Sequence, residues 1–369
     1  RTCTSSSGSR FWSSWAMKHS NISVFVPHVG CPHKCSFCDQ RTISGAQSLP
    51  RGNYVRQVCE QALREVRSPE DTEIAFFGGS FTAVPRDYML ELLEAAREYV
   101  GEGRFRGIRC STRPDCINAE VLDLLKDYGV TAIELGAQSM KDEVLAANER
   151  GHTAQDVVNA SRLIKEYGFE LGLQMMTGLP GDDDNGAVDT ARQLIALQPD
   201  AVRIYPTVVV RGTELEKLWR SGDYREHSVE DAVRVGARLL PMFQEAGIPV
   251  IRLGLNPTEE LSGGAALAGA YHPALGELIR SRILRNRAEE MLKELHCEGK
   301  NVTISVPGKQ LSQMLGQKRG NVAWLQEQFH MKSLRVVPSS EPDGIRIETE
   351  APRNPAKMVP ADPDRKSVV

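Results

Sequence analysis

Short apolar runs alternate along the chain with longer stretches in which apolar residues recur every three or four positions. We predict strands at Ile22–Val26, Glu73–Phe77, Gly107–Thr112, Thr131–Leu135, Phe169–Gln174 and Ala201–Tyr205. We predict amphipathic helices at Val55–Arg67, Arg86–Val100, Ala119–Tyr128, Gln155–Tyr167, Ala187–Leu197 and Val229–Ala246. Alternation of this kind requires parallel strands joined by helical crossovers. The predicted fold class is therefore α/β, with residues 17–256 forming a partial (βα)6 TIM-like barrel.

The pattern changes after residue 256. A Gly/Ala/Pro-rich stretch and a helix at Ala274–Leu295 predict a helical linker over residues 257–296. A small α+β domain is predicted at residues 297–349, with strands at Val302–Val306, Ser333–Val337 and Gly344–Glu348 and helices at Lys309–Leu315 and Val322–Phe329.

Both ends of the chain lack usable periodicity. Met17 stands just before the first predicted strand, so we expect translation to begin there and residues 1–16 to be a non-native leader. Residues 350–369 are Pro-rich and featureless, and we expect a disordered or artefactual tail.

The composition is that of a folded globular protein and excludes disordered, collagen-like and coiled-coil chains. The 369 residues are 41% hydrophobic and 25% charged, and 45 Lys and Arg against 48 Asp and Glu give a net charge of -3. No apolar run approaches the roughly 20 residues that span a bilayer. We expect a cytoplasmic protein with no membrane partner, while the small net charge leaves the substrate open.

Three of the eight cysteines, Cys31, Cys35 and Cys38, lie within eight residues with the spacing C-x-x-x-C-x-x-C. In a reducing compartment such a group indicates metal binding. Three thiolates on one loop can hold a 4Fe-4S cluster and leave one iron open, whereas electron-transfer clusters normally use four cysteines. The alternative is a tetrahedral zinc site completed by His28 or His33. The remaining cysteines in the body of the chain lack ligand spacing and are predicted to be buried thiols: Cys59, Cys110, Cys116 and Cys297.

Polar motifs follow the predicted strands, at the edge where active sites of such barrels lie. The cysteine loop follows the first strand, and Gly78-Gly79-Ser80 follows the second. The cysteine spacing resembles the signature of the radical S-adenosylmethionine (SAM) superfamily, in which the triad holds a 4Fe-4S cluster and SAM chelates the fourth iron. The resemblance implies that the Gly78-Gly79-Ser80 backbone approaches the methionine amine of SAM; otherwise a Gly-Gly pair is a tight turn. Phe37 offers a flat apolar face for a purine.

Five further segments occur in the order found in one branch of that superfamily: Ser111–Asp115, Ile133–Ser139, Asn148–Thr153, Met175–Gly181 and Arg203–Leu215. They resemble the catalytic subunit of Elongator, a tRNA wobble-uridine modifying enzyme, and the resemblance covers roughly residues 20–235. Together with likeness to coproporphyrinogen dehydrogenase, it implies that Gln138, Arg150 and Gln174 contact the SAM ribose and carboxylate. An arginine fork suits a carboxylate, and an amide both donates and accepts. The alternatives are a surface arginine and glutamines that hydrogen-bond at strand ends.

Two departures from the Elongator pattern limit the resemblance. The first two cluster cysteines are spaced as in most of the superfamily, whereas Elongator-type enzymes space them more widely. We expect no counterpart of the acetyltransferase domain among the roughly one hundred residues after residue 256, which show no glycine-rich CoA loop, and this puts acetyl-CoA as a co-substrate in doubt. Methylthiotransferases are disfavoured because they carry a further cysteine cluster upstream.

The run Gly316–Gly320 lies between two predicted helices of the small domain and resembles the loop of KH domains, although KH loops are usually G-x-x-G. A Gly-rich loop lets a nucleic-acid backbone approach while basic residues meet phosphate. We predict RNA contacts by Lys309, Lys318 and Arg319; the alternative is a plain basic connector.

The motifs together predict a radical SAM enzyme with a 4Fe-4S cluster on Cys31, Cys35 and Cys38, which cleaves SAM reductively to a 5′-deoxyadenosyl radical. An external donor such as flavodoxin or ferredoxin would supply the electron, and tRNA is the expected substrate. The alternatives are a small-molecule substrate such as a porphyrin precursor, or a non-catalytic cluster- or zinc-containing RNA-binding protein. His28, Tyr205 and Arg211 are further candidates for the cavity wall.

Overall fold

The computed structural model describes residues 2–4, 20–27, 35–39, 48–256, 258–259, 261–341 and 344–350. Its strands, numbered in chain order, are β1 (Thr2–Thr4), β2 (Ser20–Val26), β3 (Thr72–Gly78), β4 (Gly107–Thr112), β5 (Val130–Gln138), β6 (Glu170–Thr177), β7 (Ala201–Pro206), β8 (Val208–Val210), β9 (Val250–Leu253), β10 (Ala266–Gly269), β11 (Asn301–Pro307), β12 (Ser333–Ser339) and β13 (Arg346–Glu350). Its α-helices are α1 (Gly52–Glu65), α2 (Arg86–Arg97), α3 (Ala119–Asp127), α4 (Asp142–Ala147), α5 (Ala154–Glu166), α6 (Asp184–Ala196), α7 (Glu214–Ser221), α8 (Val229–Glu245), α9 (Leu275–Lys293), α10 (Leu311–Leu315) and α11 (Gly320–Gln328).

The described residues between 20 and 279 form one compact unit. Its main sheet has seven strands in the order β2-β3-β4-β5-β6-β7-β9, and every neighbouring pair is parallel. The predicted α/β fold class and all six predicted strands are confirmed. The seventh strand, β9, was not predicted, because its four residues are half-buried or exposed and include Arg252.

Five helices of this unit, α3 and α5–α8, begin after a residue whose side chain accepts a hydrogen bond from one of the first backbone N–H groups. Thr153 before α5 and Ser228 before α8 each form a capping box, with Asp156 and Asp231. The apolar faces of the helices pack on the outer face of the sheet, where the core includes the stacked rings of Phe76 and Phe81, 4.6 Å apart. Because the helices cover the outer face, the inner face of the sheet is available for polar side chains.

Two short antiparallel strands, β8 and β10, pair next to the carboxyl end of β7. Neither was predicted, since each has only three or four residues and β10 lies in the Gly/Ala-rich stretch that was interpreted as linker.

The described residues from 280 onward, with β1, form a second compact unit. Its sheet has the order β1-β13-β11-β12, in which β11 and β12 are parallel and the other pairs antiparallel. Helix α9 contributes Leu284, Ala288 and Leu292 to the core of this unit. This division differs from the predicted boundaries at residues 256 and 297, and β1 lies within the segment expected to be a leader. No helix among the described residues combines the length and the apolar character needed to cross a bilayer.

Candidate active site

A cavity of about 210 Å³ lies at the carboxyl ends of the parallel strands, where barrels of this type carry their chemistry. Every described residue predicted for the cluster or for SAM lines it: Cys35, Phe37, Cys38, Gly78, Gly79, Ser80, Gln138, Arg150 and Gln174. The third predicted ligand, Cys31, lies outside the described residues, as do His28 and His33. The structure thus gathers residues that are spread over 140 positions of the sequence onto one wall.

The cysteine loop has a tight turn between its two described thiols. The backbone N–H of Cys38 donates to the carbonyl of Cys35 at 3.1 Å, and the Cys35 side chain is buried. Phe37 is also buried and packs in a cluster with Met176, Leu179 and Val209 while lining the cavity. The loop is therefore held by apolar packing and presents sulfur and an aromatic ring to the same space.

Arg150 is the guanidinium closest to this sulfur. Its Nη1 lies 3.1 Å from Cys35 Sγ, and its Nη2 donates to the Gly136 carbonyl at 2.8 Å. Its Nε is buried without a hydrogen-bond partner among the described residues. Because a buried donor without a partner is costly, Arg150 has capacity for a ligand in the cavity. The alternative of an ordinary surface arginine does not hold, since Arg150 is 7% exposed.

The Gly78-Gly79-Ser80 segment crosses the cavity wall as nearly bare backbone. Gly78 has φ +115°, and a Cβ there would lie 2.6 Å from the Val26 carbonyl oxygen. Gly79 donates its N–H to that same carbonyl at 2.9 Å. The Ser80 hydroxyl is within 2.9 Å of the Thr112 hydroxyl and accepts from the Arg113 N–H at 3.3 Å. Ser80 therefore ties two strand ends together in addition to lining the cavity.

Gln138 ends β5, Gln174 lies within β6, and the two side chains contact each other. Gln174 Nε2 donates to Gln138 Oε1 at 3.1 Å, which fixes the orientation of both amides. Gln138 has φ +65°, an uncommon conformation for a non-glycine residue, at an irregularity in the β5–β6 register. The pairing leaves the other amide atoms available to ribose hydroxyls.

An ion-pair network lies deeper along the inner face of the sheet. Arg203 donates to both carboxylate oxygens of Glu134, at 2.7 and 2.9 Å, and Glu134 also accepts from Arg109 at 3.4 Å. Arg109 donates in turn to Glu73 at 2.6 Å. Burial tends to lower the pKa of Arg203, but the Glu134 carboxylate outweighs it, so the pKa of Arg203 is raised and its guanidinium stays charged. Burial raises the pKa of Tyr205, whose hydroxyl lies 3.5 Å from Arg203 Nη1.

Arg113, Glu134 and Arg203 also line the cavity, and no individual role was predicted for them, although each lies in a segment that resembles the Elongator subunit. For Glu134 and Arg203 a further signal was present, because a charged residue inside an apolar strand run indicates an inner-face position. Tyr205, a predicted candidate, lines the cavity, whereas Arg211 is exposed and donates to the Gly264 carbonyl, so it is not among the described lining residues.

The dispersed cysteines differ from those of the loop. Burial raises the pKa of Cys59 and of Cys110 to about 12, and raises that of Cys297, so all three are protonated thiols. Cys116 is half-buried rather than buried as predicted. In the second unit, Lys309, Lys318 and Arg319 are exposed, and the latter two have φ of 49° and 61°.

A model of the radical SAM superfamily matches residues 25–194 of the chain, and a model of the Radical_SAM C-terminal domain matches residues 199–285. The chain belongs to the radical SAM superfamily. The predicted enzyme class, and the cofactor pair of a 4Fe-4S cluster and SAM, are thereby confirmed at the level of that superfamily.

Curated relatives place this radical SAM protein beside Elongator-type enzymes, as predicted. Human Elongator complex protein 3 is 32% identical over 249 residues, which cover 62% of this chain and 44% of that protein. The tRNA uridine(34) acetyltransferase of Methanocaldococcus infernus is 27% identical over 255 residues, covering 58% and 48%. An uncharacterized protein of Methanocaldococcus jannaschii is 32% identical over 208 residues, covering 53% and 64%. The chain therefore spans about half the length of the first two relatives and somewhat more of the third.

Among solved structures, Methanocaldococcus infernus Elp3 lacking residues 1–46 aligns with a TM-score of 0.55 at 20% identity. The alignment covers 79% of this chain and 67% of that chain, and it shows a shared fold.

The residues present fit the superfamily's cofactors in three respects. Two of the three predicted sulfur ligands line the cavity. Arg150 Nε and Arg113 Nη1 are buried donors that lack hydrogen-bond partners among the described residues, and a carboxylate would satisfy them. The glycine pair leaves backbone exposed where a small polar group can approach.

Proposed function

We propose that the protein cleaves SAM reductively at a 4Fe-4S cluster held by Cys31, Cys35 and Cys38, and that the resulting 5′-deoxyadenosyl radical acts on a tRNA. The observation that carries the proposal is the single cavity wall on which Cys35 and Cys38 meet Arg150 and the Gln138–Gln174 pair. The Elongator-type relatives support the choice of RNA.

The chain's own residues would bind, orient and shield the reactants. When bound, the cluster supplies the electron that breaks the sulfonium C–S bond of SAM, and a donor such as flavodoxin or ferredoxin would replenish it. Arg150 would hold the SAM carboxylate, Gln138 and Gln174 the ribose, and Gly78 and Gly79 the amine. Phe37 would cover the adenine and exclude water from its face.

The charge balance of the cavity favours a neutral base over a porphyrin precursor, which carries several carboxylates. Among the described lining residues, Arg203 is neutralised by Glu134 and Arg113 by Asp115. Arg150 is the remaining lining cation, and it would bind the SAM carboxylate together with the unpartnered Nη1 donor of Arg113. A substrate with several carboxylates would find no further unpaired cation in the described lining, and burying an unpaired carboxylate is costly.

The second unit would contribute RNA contacts through Lys309, Lys318 and Arg319. The basic loop lies between α10 and α11 and is exposed. Its two consecutive left-handed residues cost backbone strain, which a structure retains more readily at a functional loop than elsewhere. A KH-like role for this loop rests on the Gly316–Gly320 run and on that exposure.

The test is 5′-deoxyadenosine formation by the anaerobically reconstituted protein with SAM and dithionite, with and without bulk tRNA. We expect formation that is abolished by the triple substitution Cys31→Ala, Cys35→Ala, Cys38→Ala and that increases with tRNA. Formation indifferent to tRNA would favour a small-molecule substrate. A reconstituted cluster whose electronic spectrum does not change when SAM is added would favour the non-catalytic alternative. Elemental analysis that finds zinc without iron or sulfide would favour the zinc site.

The RNA contacts are tested by Lys318→Ala with Arg319→Ala, compared with Lys332→Ala and Arg335→Ala, two exposed basic residues elsewhere in the same unit. We expect the loop pair to weaken tRNA binding and to reduce its salt dependence, since each phosphate contact contributes to the slope. Equal behaviour of the two double variants would contradict a specific role for the loop.

A further inference from the structure

The turn that follows α4 contacts two adjacent residues of the cysteine loop, Cys35 and Ser36. Asn148 is fully buried, Glu149 has φ +52°, and Arg150 is almost fully buried. The left-handed conformation of Glu149 reverses the chain between two inward residues. Both of these residues contact the segment Cys35–Ser36, more than a hundred positions earlier in the sequence.

Asn148 fixes Ser36 through main chain and side chain together. The Asn148 carbonyl accepts from the Ser36 N–H at 3.3 Å, and Asn148 Oδ1 accepts from the Ser36 hydroxyl at 2.9 Å. The Nδ2 group donates to the carbonyls of Val144 and Pro180 at 2.8 and 3.0 Å. An amide with both ends satisfied in a buried site has one orientation, so it fixes the position of Ser36.

Arg150 contacts the sulfur itself, through Nη1 at 3.1 Å from Cys35 Sγ. Its own position is determined on two sides: Nη2 donates to Gly136, and its carbonyl accepts from Arg113 Nη2. Arg113 is held in turn by both oxygens of Asp115, at 2.9 and 3.0 Å. The guanidinium therefore stays beside the sulfur without needing a SAM carboxylate to place it.

We propose that the Asn148–Arg150 turn is a positioning element for the cluster loop. Asn148 holds the loop in its ligating shape, and Arg150 stabilises the reduced cluster by a charged hydrogen bond to the Cys35 sulfur, in addition to its proposed contact with SAM. The inference rests on the proposed function, in that Cys35 is taken as a cluster ligand. It assigns Asn148 and Ser36 roles that the motifs do not give them.

The physical basis is that reduction adds negative charge to the cluster. A fixed cation and an N–H donor next to a ligand sulfur stabilise the reduced form more than the oxidised one, so they raise the reduction potential. Residues that hold ligands in place from outside the coordination sphere typically change metal affinity by roughly 10- to 100-fold when they are lost.

The first experiment is a redox titration of the reconstituted cluster, followed by electron paramagnetic resonance without SAM or RNA. We expect Arg150→Met to shift the midpoint potential to a more negative value, and Arg150→Lys, which keeps the charge, to shift it less. Arg162→Met is the control, because Arg162 is exposed and pairs with Glu166 on α5. An unchanged midpoint potential in Arg150→Met would overturn the role of Arg150.

The second experiment measures the rate of iron loss to a chelator. We expect Asn148→Ala to lose iron roughly 10- to 100-fold faster than the unsubstituted protein, and Ser36→Ala, which removes one hydroxyl, to show a smaller increase. Asn159→Ala is the control, since Asn159 is exposed on α5. If Asn148→Ala fails to fold, the same measurement is made on Ser36→Ala. Iron loss at the unsubstituted rate in Ser36→Ala would refute the positioning role of Asn148.

The two readouts separate this proposal from the proposed function. Both are made on the cluster alone, so the absence of 5′-deoxyadenosine or of a tRNA effect leaves them interpretable. Conversely, if the protein cleaves SAM but the variants keep the midpoint potential and the rate of iron loss of the unsubstituted protein, the positioning role is refuted and the proposed function still stands.

Discussion

Gln174, within β6, donates a hydrogen bond of 3.1 Å to Gln138 at the end of the neighbouring strand β5, and Gly136 pairs with Gln174 across the two strands. A Cβ on Gly136 would lie 2.8 Å from Gln138 Nε2 and 3.3 Å from Arg150 Nη2. The smallness of Gly136 thus allows three predicted SAM-binding side chains to share one wall.

Gly136→Ala is expected to displace Gln138 and Arg150 and to weaken SAM binding about tenfold or more, since each displaced hydrogen bond contributes on the order of 1 kcal/mol. Anaerobic calorimetry of SAM binding to the reconstituted protein would measure it. Gly263→Ala is the control, because a Cβ there meets nothing within 4 Å and its φ is not positive. Equal affinities in the two variants would contradict the prediction.

Gly78→Ala is expected to destabilise the barrel more than Gly101→Ala does. Both glycines have positive φ, of 115° and 133°, but a Cβ at Gly101 meets nothing within 4 Å while one at Gly78 meets a backbone oxygen at 2.6 Å. Backbone strain alone costs roughly 1–3 kcal/mol, and the clash adds about 1–3 kcal/mol. Urea unfolding of both variants gives the difference, and a difference near zero would mean that the segment moves freely.

Arg109→Met is expected to lower the free energy of unfolding by about 3–5 kcal/mol, because it removes the Arg109 guanidinium from its buried ion pair with the fully buried Glu73 carboxylate. Arg86→Met is the matched control, since its pair with Glu120 is exposed and such pairs contribute at most about 1 kcal/mol. Urea midpoints would show the contrast. A small effect at Arg109 would indicate that Glu73 becomes protonated or reaches water.

His152→Gln is expected to flatten the pH dependence of stability. Burial, followed by the nearby Arg150 charge, lowers the pKa of His152 to about 4, while its Nε2 contacts the Ala137 carbonyl. Between pH 6.5 and about 4 the unfolded chain binds a proton that the folded chain does not, so stability falls as the pH falls, by roughly 3 kcal/mol in total.

Urea unfolding at a series of pH values, compared between the unsubstituted protein and His152→Gln, isolates this contribution. His330→Asn, which replaces an exposed histidine of the second unit, is the control. A slope in His152→Gln equal to that of the unsubstituted protein would place the proton uptake elsewhere.

The periodicity predicted the sheet because each long strand carries an apolar run and each helix an apolar stripe. It missed β9, whose four residues at the sheet edge have no buried face that would impose a pattern. It also missed β8 and β10, which exist through pairing with each other rather than through their composition.

For the candidate site, motifs predicted residues that line the cavity but not the residues that hold them in place. The proposed roles of Asn148 and Ser36 depend on a hydrogen bond across 112 positions, which no local pattern encodes. The partner of Arg203 is likewise a matter of register, since Glu134 and Arg203 meet diagonally across β6, on which Gly172 pairs with Glu134 and Gln174 pairs with Arg203.

The order of the parallel sheet has a mechanical consequence. Among the described strands, β2 and β9 each have one neighbour, so the wall of the barrel has a seam between them. A small molecule can enter a closed barrel from one end, but a nucleotide that is still part of an RNA needs room for the RNA backbone on both sides of it. For the proposed RNA substrate, a sheet whose edge strands β2 and β9 do not pair with each other would let one nucleotide enter the cavity while the RNA remains intact.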